Sequence, residues 1–169
     1  MFKFFKKKVK EKQSSFNELD MLKNENKIIQ EGLEKTASRN NSGIVLEKDG
    51  KIDEAIKVYE ENVNDNVVAT HSYDRLMIIY RKRQDYKNEI RIINIAMDVF
   101  TKENENRYQK GLKKANNEKL KDQIHIGYKN CENVLGNDGW IIYSPYPVKK
   151  YQKRLNKAIE LNAKSNINP

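Results

Sequence analysis

One pattern occurs twice in this chain at a spacing of 34 residues. Leu46 answers Tyr80, Gly50-Lys51-Ile52 answers Gln84-Asp85-Tyr86, Ile56 answers Ile90, Tyr59 answers Ile93, and Val63 answers Met97. Around each break, apolar residues recur at three- and four-residue steps, so each unit reads as two amphipathic helices joined by a tight turn. Such a unit cannot bury its apolar faces alone. It stacks on its neighbours and presents an extended surface, which suits binding better than catalysis. The expected fold class is therefore all-α, a helical-repeat stack of antiparallel helix pairs with capping helices at its ends.

Composition agrees with that reading. The chain has 169 residues, enough for one domain, and is 34% charged against 37% hydrophobic, so its core has to be economical. Seven Gly and three Pro are too few for the many turns of a sandwich or barrel. Cys131 is the single cysteine, which rules out an intramolecular disulfide or a cysteine metal site and points to a reducing compartment. No run approaches the roughly 18 apolar residues of a membrane span, and Met1–Phe5 is too short for a secretory apolar region. The expected location is cytoplasmic.

The net charge of +9 is unevenly placed. Residues 1–12 carry +5, residues 13–106 carry −4, and residues 107–169 carry +8. A mildly acidic repeat region lies between basic flanks, unlike the uniform field of many nucleic-acid binders.

Residues 1–13 form a basic leader, and 14–163 read as a single helical domain. Ser15-Phe16-Asn17-Glu18 has the form of a capping box, followed by one apolar face through Phe16, Leu19, Leu22, Ile29, Leu33 and Ala37. The first unit spans 36–69 and the second 70–103. Over 104–135 the period fades, leaving a degenerate third pair or one long helix. Gly136-Asn137-Asp138-Gly139 breaks it, 136–147 reads as extended, and a last helix covers 148–162 before a tail at 164–169. The helix near Ser15–Ser38 and the last helix are the expected caps.

The residues Gly43-x-x-Leu46-x-x-x-Gly50-Lys51-Ile52-Asp53-Glu54-Ala55-Ile56-x-x-Tyr59 resemble the tetratricopeptide repeat, and Tyr80, Asp85-Tyr86, Ile90 and Ala96 resemble it in the second unit. Small bacterial or phage two-repeat proteins of this type are similar. Glu89 departs from the family, which prefers Ala there, and Val67 stands where the first unit would end in Pro. The resemblance covers residues 36–103 and implies a right-handed stack whose first helices line a concave groove. It places Ala37, Asn40, Ile44, Glu47 and Lys48 on that groove, with His71, Asp74, Ile78, Arg81 and Lys82. Partner binding is expected at Asn40, Ile44, Glu47, Lys48, Asp74, Ile78, Arg81 and Lys82. Ile44 and Ile78 would supply apolar contact, and the polar six would fix orientation. The Asn and Lys pattern by which some family members clamp a terminal carboxylate is not recognisable here.

The expected function is a noncatalytic protein–protein interaction scaffold for a peptide or helix of a partner protein. Phosphate-binding loops, nucleophile elbows and zinc-protease helices are absent from the sequence, so neither an enzyme nor a cofactor or metal is expected. His71 beside Asp74 reads as a helix-start residue, and His125 between Ile124 and Ile126 as partly buried. Asp53-Glu54 and Glu60-Glu61 are sequence neighbours that point about 100° apart on a helix, so they form solvated faces rather than catalytic dyads. Arg81-Lys82-Arg83 reads either as an anion contact or as a last turn offsetting the helix dipole.

Three further expectations concern partners. Nucleic acid is the alternative, through Lys110, Lys113, Lys114, Lys119 and Lys121 with Lys149, Lys150, Lys153 and Arg154. Phe2, Phe4 and Phe5 among the leader lysines suit peripheral membrane contact less well, and exposed stack ends are compatible with a homodimer. Trp140 to Tyr146 reads either as an interaction strand or, the favoured expectation, as an irregular segment anchored by its aromatics that fills the chain's own groove.

Overall fold

The computed structural model describes residues 2–167, with side chains over 20–165. It contains α1 (Phe2–Lys48), α2 (Ile52–Asn64), α3 (Thr70–Lys82), α4 (Tyr86–Lys114), α5 (Glu118–Asn130), β1 (Val134–Leu135), β2 (Ile141–Tyr143) and α6 (Val148–Ile167). The architecture is all-α with one small hairpin. None of the described helices is long and apolar enough to cross a membrane.

The two turns spaced by 34 residues close in the same way. Gly50 takes φ +75°, its N–H donates to Glu47 O, and Lys51 N–H donates to Leu46 O at 2.8 Å. Gln84 takes φ +57°, its N–H donates to Arg81 O, and Asp85 N–H donates to Tyr80 O at 2.9 Å. Both are left-handed caps that satisfy the last carbonyls of the preceding helix. The Asp85 carboxylate then accepts Asn88 N–H at 3.1 Å and starts α4. Asn117 starts α5 likewise, through Leu120 N–H at 2.9 Å.

Three boundaries differ from expectation. First, α1 runs through the Ser15–Glu18 box without a break, because residues 2–31 contain no Gly or Pro to interrupt good helix formers. Second, α4 continues past 103 to Lys114 and turns back through α5, so 104–130 has the helix–turn–helix form of a pair rather than of one long helix, and 134–135 is strand. Third, the stretch expected to be simply extended carries a ladder: Val134 pairs with Tyr143 and Leu135 with Ile141. The Gly136–Gly139 breaker makes the hairpin turn, with Gly139 at φ +79° and Gly136 N–H on Trp140 O at 2.7 Å.

The main core gathers α2, α3, α4 and α6 around Tyr59, Tyr73, Leu76, Ile92, Phe100 and Tyr151, all at most 1% exposed. Phe100 is its hub, stacked on Tyr146 (4.6 Å) and Tyr151 (5.7 Å) and edge-on to Tyr73 (5.2 Å). Gly43 is what lets α1 join, since a Cβ there would lie 2.4 Å from the Tyr59 ring. A smaller cluster of Leu120, Ile124, Val134 and Tyr143 fastens α5 and the hairpin beneath Tyr108 and Tyr128.

Residues 144–147 lie along α4. The buried Asn104 side chain accepts Tyr146 N–H at 2.6 Å and donates to Tyr146 O at 3.1 Å, standing in for a missing strand neighbour. Arg107 donates to Ser144 O at 2.8 Å and covers the Tyr146 ring at 4.3 Å. This corrects the expectation that Trp140–Tyr146 fills the groove: Trp140 is 77% exposed, Tyr143 serves the smaller core, and Tyr146 seals α4.

α6 closes one end of the molecule through buried Tyr151 and Ala158. At the other end, residues 21–35 do not supply the cap expected of 15–38. Leu22, Ile29 and Leu33 are each more than half exposed, because α2 is 13 residues long and reaches back along α1 only to the Asp65–Lys35 contact at 3.1 Å. Phe16 and Leu19 lie outside the residues whose side chains are described, as do the leader's aromatics.

Candidate interaction surface

The C-terminal part of α1 and the whole of α3 lie side by side, and polar side chains join them. Asn40 Oδ1 accepts from Ser72 Oγ at 2.7 Å and from Asn62 Nδ2 at 3.1 Å, which ties α1, α2 and α3 at one point. One turn further on, the Arg75 guanidinium grips Glu47 with two N–H groups, the Nε bond being 2.9 Å. Tyr59 O–H donates to the same carboxylate at 2.8 Å. Asn40 and Glu47 are therefore spent on holding the surface together.

Those Arg75 hydrogen bonds hold the Glu47 carboxyl below its ordinary range, against the opposing effect of burial. A carboxylate depressed on folding stabilises the native state fully above its unfolded pKa. That contribution is lost as pH falls through the depressed value, below about 4.5. Glu47→Gln should lose stability at pH 7 and show a shallower drop in Tm on acidification. Parallel Tm profiles for the two proteins from pH 7 to pH 3 would contradict this pairing.

Two hollows flank the Glu47–Arg75 pair. One, about 270 Å³, is lined by Ile44, Glu47, Lys48, His71 and Arg75. The other, about 210 Å³, is lined by Glu47, Arg75, Ile78 and Lys82 with Ile52, Ile79 and Arg83. Ile44 and Ile78 are half-buried, one beside each hollow, while Lys48 and Lys82 are exposed at the rim. His71 has Nε2 buried without a partner, and its ring meets Tyr59 edge-on at 5.8 Å.

No family model matches the chain, and no curated protein or solved structure matches it. The surface is therefore read from its own chemistry.

Of the eight expected partner-binding residues, Ile44, Glu47, Lys48, Ile78 and Lys82 line these two hollows. Asn40 lies next to them but points into the Asn62–Ser72 cluster. Asp74 and Arg81 lie elsewhere, under α6. Asp74 faces the buried Tyr151 hydroxyl, whose pKa is raised by burial and then by that charge. Arg81 donates to Glu89, which is fully buried and also accepts from Arg154 Nε at 2.8 Å. Reasoning from the sequence missed Arg75, whose place seven residues before Lys82 on α3 is the signal that could have found it.

The basic-flank residues are partly committed. Arg154 is held by Glu89, Lys121 by Glu118 at 2.7 Å, and Lys149 by the Asn130 carbonyl at 2.7 Å. Lys110, Lys113, Lys114 and Lys119 are exposed around the α4–α5 turn, and Lys150 and Lys153 are exposed on α6. Arg83 of the Arg81-Lys82-Arg83 run pairs with Asp53 at 2.5 Å, a solvent-exposed pair that water and salt screen. His125 is exposed rather than partly buried, with Nδ1 2.6 Å from the Tyr108 hydroxyl. A larger hollow of about 430 Å³ lies along α4, where Asp98, Lys102 and Glu103 offer no field of one sign.

Proposed function

We propose that this chain is a noncatalytic interaction module, a tetratricopeptide-like helical-repeat scaffold, that holds a peptide or helix of a partner protein across the α1–α3 face. The observation that carries the reading is the pair of hollows either side of a satisfied Glu47–Arg75 bridge. Each offers an apolar wall, Ile44 or Ile78, beside an exposed cation, Lys48 or Lys82. At about 270 and 210 Å³, they are smaller than the roughly 300–1,000 Å³ of small-molecule sites. They suit single apolar side chains of a segment that also carries Asp or Glu. The matching left-handed turns at Gly50 and Gln84 support the repeat reading.

Selection from a random peptide library on the immobilised full-length chain tests it. Enriched peptides should combine apolar anchors with acidic residues. They should lose about 30-fold in affinity toward a folded Ile78→Glu, Lys82→Glu variant, as expected for a central anchor worth about 2 kcal/mol. Equal binding to both proteins would overturn the assignment. The exposed lysines at the α4–α5 turn keep nucleic acid as the second reading, with the steep salt dependence of phosphate neutralisation as its signature.

A further inference from the structure

Residues 21–35 of α1 are exposed throughout, a helical arm some 22 Å long at about 1.5 Å per residue. An isolated helix of that length is marginal in water, and most helical stability comes from a packed apolar face. The arm has such a face, and among the described residues nothing covers it: Met21, Leu22, Ile28, Ile29 and Leu33 are 51–68% exposed.

Spacing and charge both bear on what would cover it. Leu22 and Ile29 fall seven residues apart, and Asn26 and Leu33 fall seven apart four residues further along. That is one heptad register, with Leu22 and Ile29 at d and Asn26 and Leu33 at a. Residues 20–35 carry three Lys and four acidic side chains. Unlike the basic leader at 2–12 on the same helix, this stretch lacks the strongly basic polar face of a helix lying on an anionic bilayer. The partner indicated is another helix.

Asn26 narrows the choice further. An amide in the middle of an apolar seam needs its own hydrogen-bond partner or costs the full desolvation of a buried polar group. In an antiparallel pair, a positions meet d positions, so Asn26 would lie against Ile29. In a parallel, in-register pair of identical helices, Asn26 meets Asn26, the arrangement by which a single a-position Asn sets register. Glu25 at g then stands near Gln30 at e of the other helix, which can donate to it.

We propose that the projecting part of α1 forms a parallel, in-register two-helix seam with α1 of a second copy of this chain. The pairing stands apart from the α1–α3 face and does not depend on it.

The test combines light-scattering mass with self-cross-linking of the full chain. Wild type should approach twice 19.9 kDa in the tens of micromolar, and Ile29→Glu should return it to the monomer. Ile29 is 59% exposed, so this variant keeps its fold, checked by circular dichroism. In a Cys131→Ser background, Leu33→Cys should cross-link to itself under mild oxidation. A wild type that stays at 19.9 kDa at several hundred micromolar, or a dimer indifferent to Ile29→Glu, would overturn the proposal. A dimer sensitive to Ile29→Glu that gives no cross-link at position 33 would overturn the parallel register. A monomer that sediments with phosphatidylserine vesicles, and is released by Ile29→Glu, would assign the arm to lipid instead.

Discussion

Glu89→Ala should lower the unfolding free energy by about 3–5 kcal/mol, a large share of the roughly 5–15 kcal/mol that holds a domain together. The Glu89 side chain is fully buried, with one carboxylate oxygen accepting from Arg81 of α3 and the other from Arg154 of α6. Removing it leaves two part-buried guanidinium groups facing each other, one of which already has Nη2 without a partner. The tetratricopeptide pattern prefers Ala at this position, so resemblance alone would rate the change as benign. The bridge makes the opposite demand. Urea unfolding followed by circular dichroism separates the two: a midpoint equal to wild type would mean that the buried carboxylate contributes little. Replacing all three partners with apolar residues of similar volume should be much closer to neutral, because no charge is then left buried alone.

Phe100→Ala should cost a further large amount, about 3–5 kcal/mol for a fully buried aromatic. Phe100 touches Tyr73 of α3, Tyr146 of the segment after β2 and Tyr151 of α6, so one truncation loosens three attachments to α4. Its effect should also be local. Amide exchange at Tyr146, held by Asn104 at 2.6 Å, should accelerate more than at Ile92 in the N-terminal part of α4. A uniform acceleration across α4 would show that the residue contributes packing volume without organising the segment.

Much of the repeat region was legible because its signals are local. The starts of α2 at Ile52 and α4 at Tyr86 follow from the breaks at Gly50 and Gln84-Asp85, and an amphipathic stripe of 13 residues specifies its own helix. What was not legible depended on distant partners. Two- and three-residue strands are too short for alternation to register, and β1 and β2 form because Val134 and Tyr143 share a core with Ile124.

The candidate surface shows the same division. Ile44, Lys48, Ile78 and Lys82 could be placed by their position on two parallel helices. Asp74 and Arg81 were drawn away because α6, some 70 residues on in sequence, covers their face of α3 with Tyr151 and Arg154. The apolar residues at 22, 29 and 33 look the same in sequence as a buried stripe. Only the length of α2 shows that none of the described residues reaches them.

The most direct measurement is a nuclease-treated pull-down with the full chain and its Ile44→Glu, Ile78→Glu variant, washed at low and high salt. A groove that binds protein by apolar anchors predicts a defined partner retained by wild type at high salt and lost from the folded variant. Equal retention by both proteins, or recovery of nucleic acid alone that high salt removes, would contradict it.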